Sequence, residues 1–214
     1  MTFLDLILPR RCAGCDAPDT RWCHHCARTT TTLRSVERSS LTTPAYALAP
    51  YAGPARRLVL AYKDNRRELA PILGGGLADG LIRLAEQAPA WADDVWLIPA
   101  PSRAAAAAGR GGNHMLRAAD HTARELARQG IPAHVAPALR VSGTRDSVGL
   151  TPSQRTANLR GAVSVIRRNT PPPGTPTILL DDVVTTGATA AACVRALGEA
   201  DIPVVAILAF TDTV

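Results

Sequence analysis

Lysine is nearly absent from this chain: among its 24 lysines and arginines, Lys63 is the only lysine. The formal charge of +6 and the isoelectric point near 9.5 are therefore carried by arginine. Such a surplus suits anionic partners, polyphosphorylated metabolites and nucleic acid alike, and does not choose between them. Aromatic residues are also scarce, at 4%, which excludes a broad stacking platform as the grip on single-stranded nucleic acid and leaves arginine to carry any such binding. No stretch approaches the ~20 apolar residues of a membrane span. Phe3 to Leu8 is too short for the apolar core of a secretory signal, contains Asp5 and follows no basic residue, so the chain is expected to be cytoplasmic. What is present, 214 residues with 46% hydrophobic and 20% charged, suffices for one sizeable core and a small appended module.

The appended module is marked by cysteine. Cys12, Cys15, Cys23 and Cys26 form a C-x2-C-x7-C-x2-C array. Two such knuckles supply four thiolates to one tetrahedral Zn²⁺, and a cytoplasmic setting makes two disulfides the weaker alternative. His24 and His25 lie inside the second knuckle and are alternative ligands, although the cysteines alone complete the set. Four protein ligands leave no open position, so the expected zinc is structural. Cys193, in a later helical stretch, is expected to be a small buried apolar residue.

The densest chemistry lies at Thr177 to Thr189, TILLDDVVTTGAT. A short apolar run into a turn reads as a buried strand, and the alanine-rich segment from Ala188 to Glu199 reads as a helix. Unpaired N–H groups and the positive end of the dipole at a helix start hold a phosphate monoester without a basic side chain. Thr185, Thr186 and Thr189 add hydroxyl donors, and Gly187 lets the backbone approach the anion. The ionised carboxylates of Asp181 and Asp182 accept hydrogen bonds and donate none, so they suit a ribose diol and repel phosphate. A ligand with a phosphate at one end and a diol at the other fits this order; a plain β–α turn with threonine caps is the alternative.

Elsewhere, Thr2 to Leu8 reads as a short helix and Arg28 to Pro44 as a polar hinge, with a domain boundary near residue 44. Leu58, Val59 and Tyr62, and then Leu69, Leu73, Leu77, Leu81 and Leu84, recur at helical steps, making residues 45–90 a helical connector ahead of an α/β core over 91–214. Gly74, Gly75 and Gly76 interrupt the second stripe, so either the helix breaks there or another backbone packs very close. Lys63 and Asp64 end the first helix and read as a solvated pair. Val95 to Ala100, Ala133 to Val141, Ala162 to Ile166 and Pro203 to Phe210 read as strands, and Met115 to Ala127 as a helix capped by Asn113 and closed by Gly130 and Pro132. The glycine-rich stretch with Arg103 and Arg110 fails as a dinucleotide fingerprint, because His114 stands where a glycine is required; it reads as an anion-binding loop. Ser142 to Gly161 is a long polar stretch of the kind that serves as a lid or stays unstructured. Alternating strands and helices argue a parallel α/β sheet with ligand loops at the strands' carboxyl ends.

The run from Ile178 to Thr189 resembles the signature of type I phosphoribosyltransferases, which bind 5-phosphoribosyl-1-pyrophosphate (PRPP). In that superfamily the acidic pair contacts the ribose hydroxyls and the next loop wraps the 5′-phosphate. The resemblance thus implies Asp181 and Asp182 as catalytic acids and Val184, Thr185, Thr186, Gly187, Ala188 and Thr189 as the phosphate loop. Together with the cysteine array, Tyr51-x-Gly53, Tyr62-Lys63, Pro99-x-Pro101-Ser102-Arg103, Arg110-Gly-Gly-Asn113 and Arg155-x-x-Asn158-x-x-Gly161, the chain resembles the ComF family over nearly its whole length. That family joins a zinc-ribbon-like head to a phosphoribosyltransferase core and is associated with natural competence. The resemblance implies a pyrophosphate loop at Pro101, Ser102 and Arg103, a contribution from Arg110, and a flexible loop over Arg145 to Arg160. It also implies Mg²⁺ bound with PRPP, and single-stranded DNA and competence-type helicase machinery as partners. The sequence departs from the pattern at Gly112, where the family carries an aromatic, and at Val148-Gly149-Leu150, where a glutamine is expected.

Two functions follow from the resemblance. One is a phosphoribosyl-binding protein implicated in DNA uptake. The other is an active Mg-dependent transferase of nucleotide or nucleoside metabolism, in which pyrophosphate leaves C1 through an oxocarbenium-like state, a nitrogen nucleophile attacks C1, and Arg103 and Arg110 stabilise the leaving group. Transferases of this kind carry a hood that recognises the base, and after Phe210 only residues 211–214 remain to form one.

Overall fold

Continuous apolar runs in the second half of the chain become strands buried on both faces, as a parallel sheet requires. The computed structural model describes residues 10–87, 94–102, 112–142 and 162–213. Its strands are β1 (Arg34–Ser35), β2 (Ala45–Pro50), β3 (Val95–Pro99), β4 (Ala133–Val135), β5 (Leu139–Val141), β6 (Val163–Val165), β7 (Thr177–Val184) and β8 (Val204–Asp212). The helices are α1 (His24–Ala27), α2 (Gly53–Lys63), α3 (Ala70–Gln87), α4 (His114–Arg128) and α5 (Ala188–Gly198). A six-stranded sheet runs in the order β1-β2-β8-β7-β3-β4, parallel throughout except for the antiparallel edge pair β1–β2. Leu58, Leu73, Leu77 and Met115 of α2, α3 and α4 cover one face, over Leu48, Leu97, Leu180 and Phe210. Ala190, Cys193 and Leu197 of α5, with Leu139 and Val163, cover the other, over Ala47, Ile98, Leu179 and Ile207. This is an α/β architecture with a mostly parallel sheet and flanking helices, and Cys193 is buried as expected.

Several expectations change. Residues 45–50, expected within a helical connector, form β2 and pair with β8 from Ala45↔Ile207 to Pro50↔Asp212. Their alternation is blunted because both faces are apolar: Ala45 and Ala47 fill one, Tyr46 and Leu48 the other. The polar stretch before them supplies β1, whose pairing of Arg34 with Ala47 crosses the boundary expected near residue 44. The strand expected over Ala133 to Val141 divides at Ala136–Ala138: β4 joins the main sheet, whereas β5 turns away to pair antiparallel with β6 in a separate two-stranded sheet. Pro137 sits in that break, where its missing N–H takes nothing from a ladder. The expected helix over Thr2 to Leu8 and the stretch over 143–161 lie outside the described residues.

Helix α4 begins and ends as its sequence dictates. The Asn113 side chain accepts the Met115 amide at 3.0 Å, and Gly130 takes φ +80° just past the end. Helix α3 runs unbroken through its glycines. The reason is close approach: a Cβ on Gly74 would stand 2.4 Å from His121 Cβ and 2.8 Å from the Ala118 carbonyl of α4, whereas one on Gly75 would meet nothing within 4 Å. Adjacent alanine substitutions should therefore differ in sign. Gly74→Ala forces the two helices apart at about 1–3 kcal/mol, as overpacking does. Gly75→Ala gains up to about 1 kcal/mol of helix propensity. Thermal denaturation of the two variants checks this, and equal shifts would contradict the packing.

Candidate functional site

The order of strands places a crevice. From β3 the chain passes through α4 to β4 at one edge, while from β7 it passes through α5 to β8 in the other direction. β3 and β7 lie side by side, with Pro99 paired to Leu180 and the Ala100 amide donating to the Leu180 carbonyl at 2.8 Å. Their carboxyl ends flank the point where chain order reverses, which is where open α/β sheets bind ligands. Pro101 and Ser102 leave one side of it, and Asp181 to Thr186 leave the other.

Strand alternation separates the two acids. Asp182 points to the face covered by α2 and α4. There its Oδ1 accepts from Lys63 Nζ at 2.8 Å and its Oδ2 contacts His114 Nε2. The other ring nitrogen, His114 Nδ1, lies 3.0 Å from Ser102 Oγ. Tyr62 fixes the arrangement from α2, its hydroxyl donating to the His114 carbonyl at 2.6 Å. Burial alone would raise Asp182, but the His114 hydrogen bond and the Lys63 charge outweigh it and hold the carboxyl below its ordinary range. Asp181 points toward α5, and its Oδ1 accepts the Asp182 amide at 2.8 Å. Burial, followed by the charge of Asp182, pushes Asp181 up to about 7, against the pull of the Asp182 amide and Lys63.

Lys63 is thus no solvated pair with Asp64; it is the counter-ion of the acidic motif. Its signal was its identity, the one lysine in a chain that otherwise uses arginine, a compact ammonium set on a single carboxylate oxygen. His114 gave no periodic signal, because it is the first residue of a helix, directly after the cap.

The hydroxyl loop is braced from outside. Gly187 adopts φ +76° as the N-cap of α5 and Thr186 Oγ1 lies 3.4 Å from the Ala188 amide. Thr185 and Thr186 are exposed, Thr189 is half-buried, and Val184 is buried with its carbonyl accepting from the Thr213 amide at 3.0 Å. The Thr185 carbonyl accepts Arg38 Nε at 2.7 Å, and the Thr186 carbonyl accepts Ser40 Oγ at 2.7 Å. Among the described residues no peptide is cis, so carbonyl and amide of one peptide point oppositely, and the N–H groups of Thr186 and Gly187 face away from this brace. Arg38 also pairs with Asp212 at 3.3 Å, tying the loop to the end of β8. Sequence reading missed Arg38 and Ser40 inside the expected hinge.

At the N-terminal module, the Sγ atoms of Cys12, Cys15, Cys23 and Cys26 all lie within 4.8 Å of one another, with Cys15 and Cys23 at 3.6 Å. A tetrathiolate zinc places its sulfurs about 3.8 Å apart, so the set fits a structural Zn²⁺. Burial would raise the Cys12 thiol, but hydrogen bonds from the Cys23, Gly14 and Cys15 amides bring it down to about 6, whereas burial and the neighbouring thiols push Cys26 up; a bound cation takes its cysteine ligands as thiolates.

Arg103 and Arg110 lie outside the described residues. Among the described residues no helix is long and apolar enough to cross a membrane. Compared with known proteins, the chain matches no family model and no curated protein.

Proposed function

We propose that this protein binds PRPP or a related phosphoribosyl ligand in the crevice between β3 and β7, as a ComF-like protein with a type I phosphoribosyltransferase fold. The observation that supports it most is the joint placement at one switch point of a half-buried carboxylate, Asp181, and a glycine-capped loop with the amides of Thr186 and Gly187 turned from its brace. One end accepts a diol and the other holds a phosphate, with spacing set by a continuous strand–loop–helix. Mg²⁺ would arrive with the pyrophosphate, whose charge it neutralises. Asp182 is engaged by Lys63 and His114, so among the described residues the site offers no dedicated carboxylate cage, in keeping with an ion that keeps its waters and rides on substrate phosphates. The pyrophosphate end would fall to Pro101, Ser102, Arg103 and Arg110. Handling of single-stranded DNA and contact with a competence-type helicase rest on the family resemblance and the +6 charge. Such DNA binding would weaken as salt rises.

Thermal denaturation tests the ligand. Mg·PRPP at a hundredfold excess over its dissociation constant is expected to stabilise the fold by about 2.7 kcal/mol, and no shift at millimolar PRPP would overturn the proposal. Pyrophosphate release on adding a panel of nucleobases separates the second reading, an active transferase, from a binding protein.

A further inference from the structure

Asp181 and Asp182 adjoin in sequence yet do not share surroundings. Asp182 is 6% exposed, with an ammonium on one oxygen and an imidazole on the other. Each oxygen keeps a further lone pair, but little of the carboxylate surface is left for a ligand hydroxyl to reach. Asp181 lies on the opposite face and is half-buried; beyond the Asp182 amide on Oδ1, it accepts no hydrogen bond among the described residues.

We infer that the pair is divided: Asp181 accepts the sugar diol, while Asp182 is a positioning residue held by Lys63 and His114, with His114 carrying that hold to Ser102 at the head of the loop after β3. This rests on the phosphoribosyl reading of the site. The connection closes in either state of the imidazole. With a neutral ring, Ser102 Oγ–H donates to Nδ1 and Nε2–H donates to Asp182. With a charged ring, Nδ1–H donates to Ser102 Oγ, whose proton turns to Asn113 Oδ1, 3.3 Å away. The division also answers an electrostatic difficulty. Two unpartnered carboxylates beside a phosphate loop repel the ligand the loop attracts; Lys63 cancels one of them, so one anionic acceptor is left for the diol.

Titration calorimetry with ribose 5-phosphate and 2-deoxyribose 5-phosphate separates the two roles. At pH 8, above the raised value of Asp181, the wild type is expected to prefer the ribose compound by about tenfold, as a charge-assisted hydrogen bond implies. Asp181→Ala should erase the preference. Asp182→Asn and His114→Leu should weaken both sugars by a similar factor while keeping it. His114→Gln, whose amide still donates to Asp182, should recover most of that loss, which a general packing role would not produce. Where Asp182→Asn leaves Lys63 unpaired and fails to fold, the Lys63→Met/Asp182→Asn double variant gives the same reading. Loss of the preference in the Asp182 variants as complete as in Asp181→Ala would overturn the division. A wild type that binds PRPP but treats the two sugars alike would overturn it too and leave the ligand assignment standing; one that binds neither sugar nor PRPP would overturn both.

Discussion

Cys26→Ser, or treatment of the protein with a strong chelator, is expected to unfold the N-terminal module and lower Tm by more than about 10 °C, since structural zinc sites supply about 10–16 kcal/mol to the segments they fold. Beyond the cysteines, the module is held chiefly by Ala13, Trp22 and Leu33, which pack against the main core. Cys26 is fully buried, and Gly14 is so tightly enclosed that a Cβ there would stand 2.6 Å from Cys26 Sγ and 2.9 Å from Pro54 Cβ at the start of α2. Asp16 and Asp19 take positive φ in its turns, a strain that persists only where surrounding structure enforces it. Because the module rests on the start of α2 at Pro54, on the turn after α2 through Arg66 to the Arg11 carbonyl, and on α3 through Arg83 to the Thr31 carbonyl, its loss should also loosen the helix that carries Lys63. Elemental analysis should give one zinc per chain. A metal-free chain with unchanged Tm would contradict the assignment.

Asp181→Asn is expected to abolish most phosphoribosyl affinity and, at the same time, to stabilise the fold. Its carboxyl is pushed from 3.8 up to about 7, so between those values the folded chain binds more protons than the unfolded one and stability falls as pH rises. The variant escapes that cost. Its advantage should be absent near pH 4, grow through neutrality and level off above pH 7 at up to about 4 kcal/mol, an upper bound because the shift is shared with Asp182. Asp182 has the opposite sign: its stabilisation is present above the ordinary carboxylate range and lost as pH falls through its lowered value. Denaturation curves of Asp181→Asn and wild type at pH 4, 6 and 8 check this, and a variant less stable than wild type at pH 8 would contradict it.

The strand–acid–loop–helix unit was legible because every feature in it is local: Ile178 to Leu180 for the strand, Gly187 for the left-handed cap, the alanines for α5. The helices α2 and α4 were legible for the same reason, through their apolar spacing and the Asn113 cap. What escaped depends on pairing between distant residues. Ala45 to Pro50 is a strand because β8 offers it a ladder, and its own alternation is weak. Asp182 and His114 are 68 residues apart, and Arg38 lies 147 residues before the Thr185 carbonyl it braces; no window of sequence holds both ends of either contact. The glycines of α3 show a middle case, where the break in the stripe was visible but only α4, packed on Gly74, explains it.

The most direct test is calorimetric titration of the purified protein with Mg·PRPP, beside the Asp181→Asn/Asp182→Asn variant. Heat saturating at one ligand per wild-type chain, and absent from the variant, is the expected result. A flat wild-type titration would contradict the assignment of the β3–β7 crevice as a phosphoribosyl site.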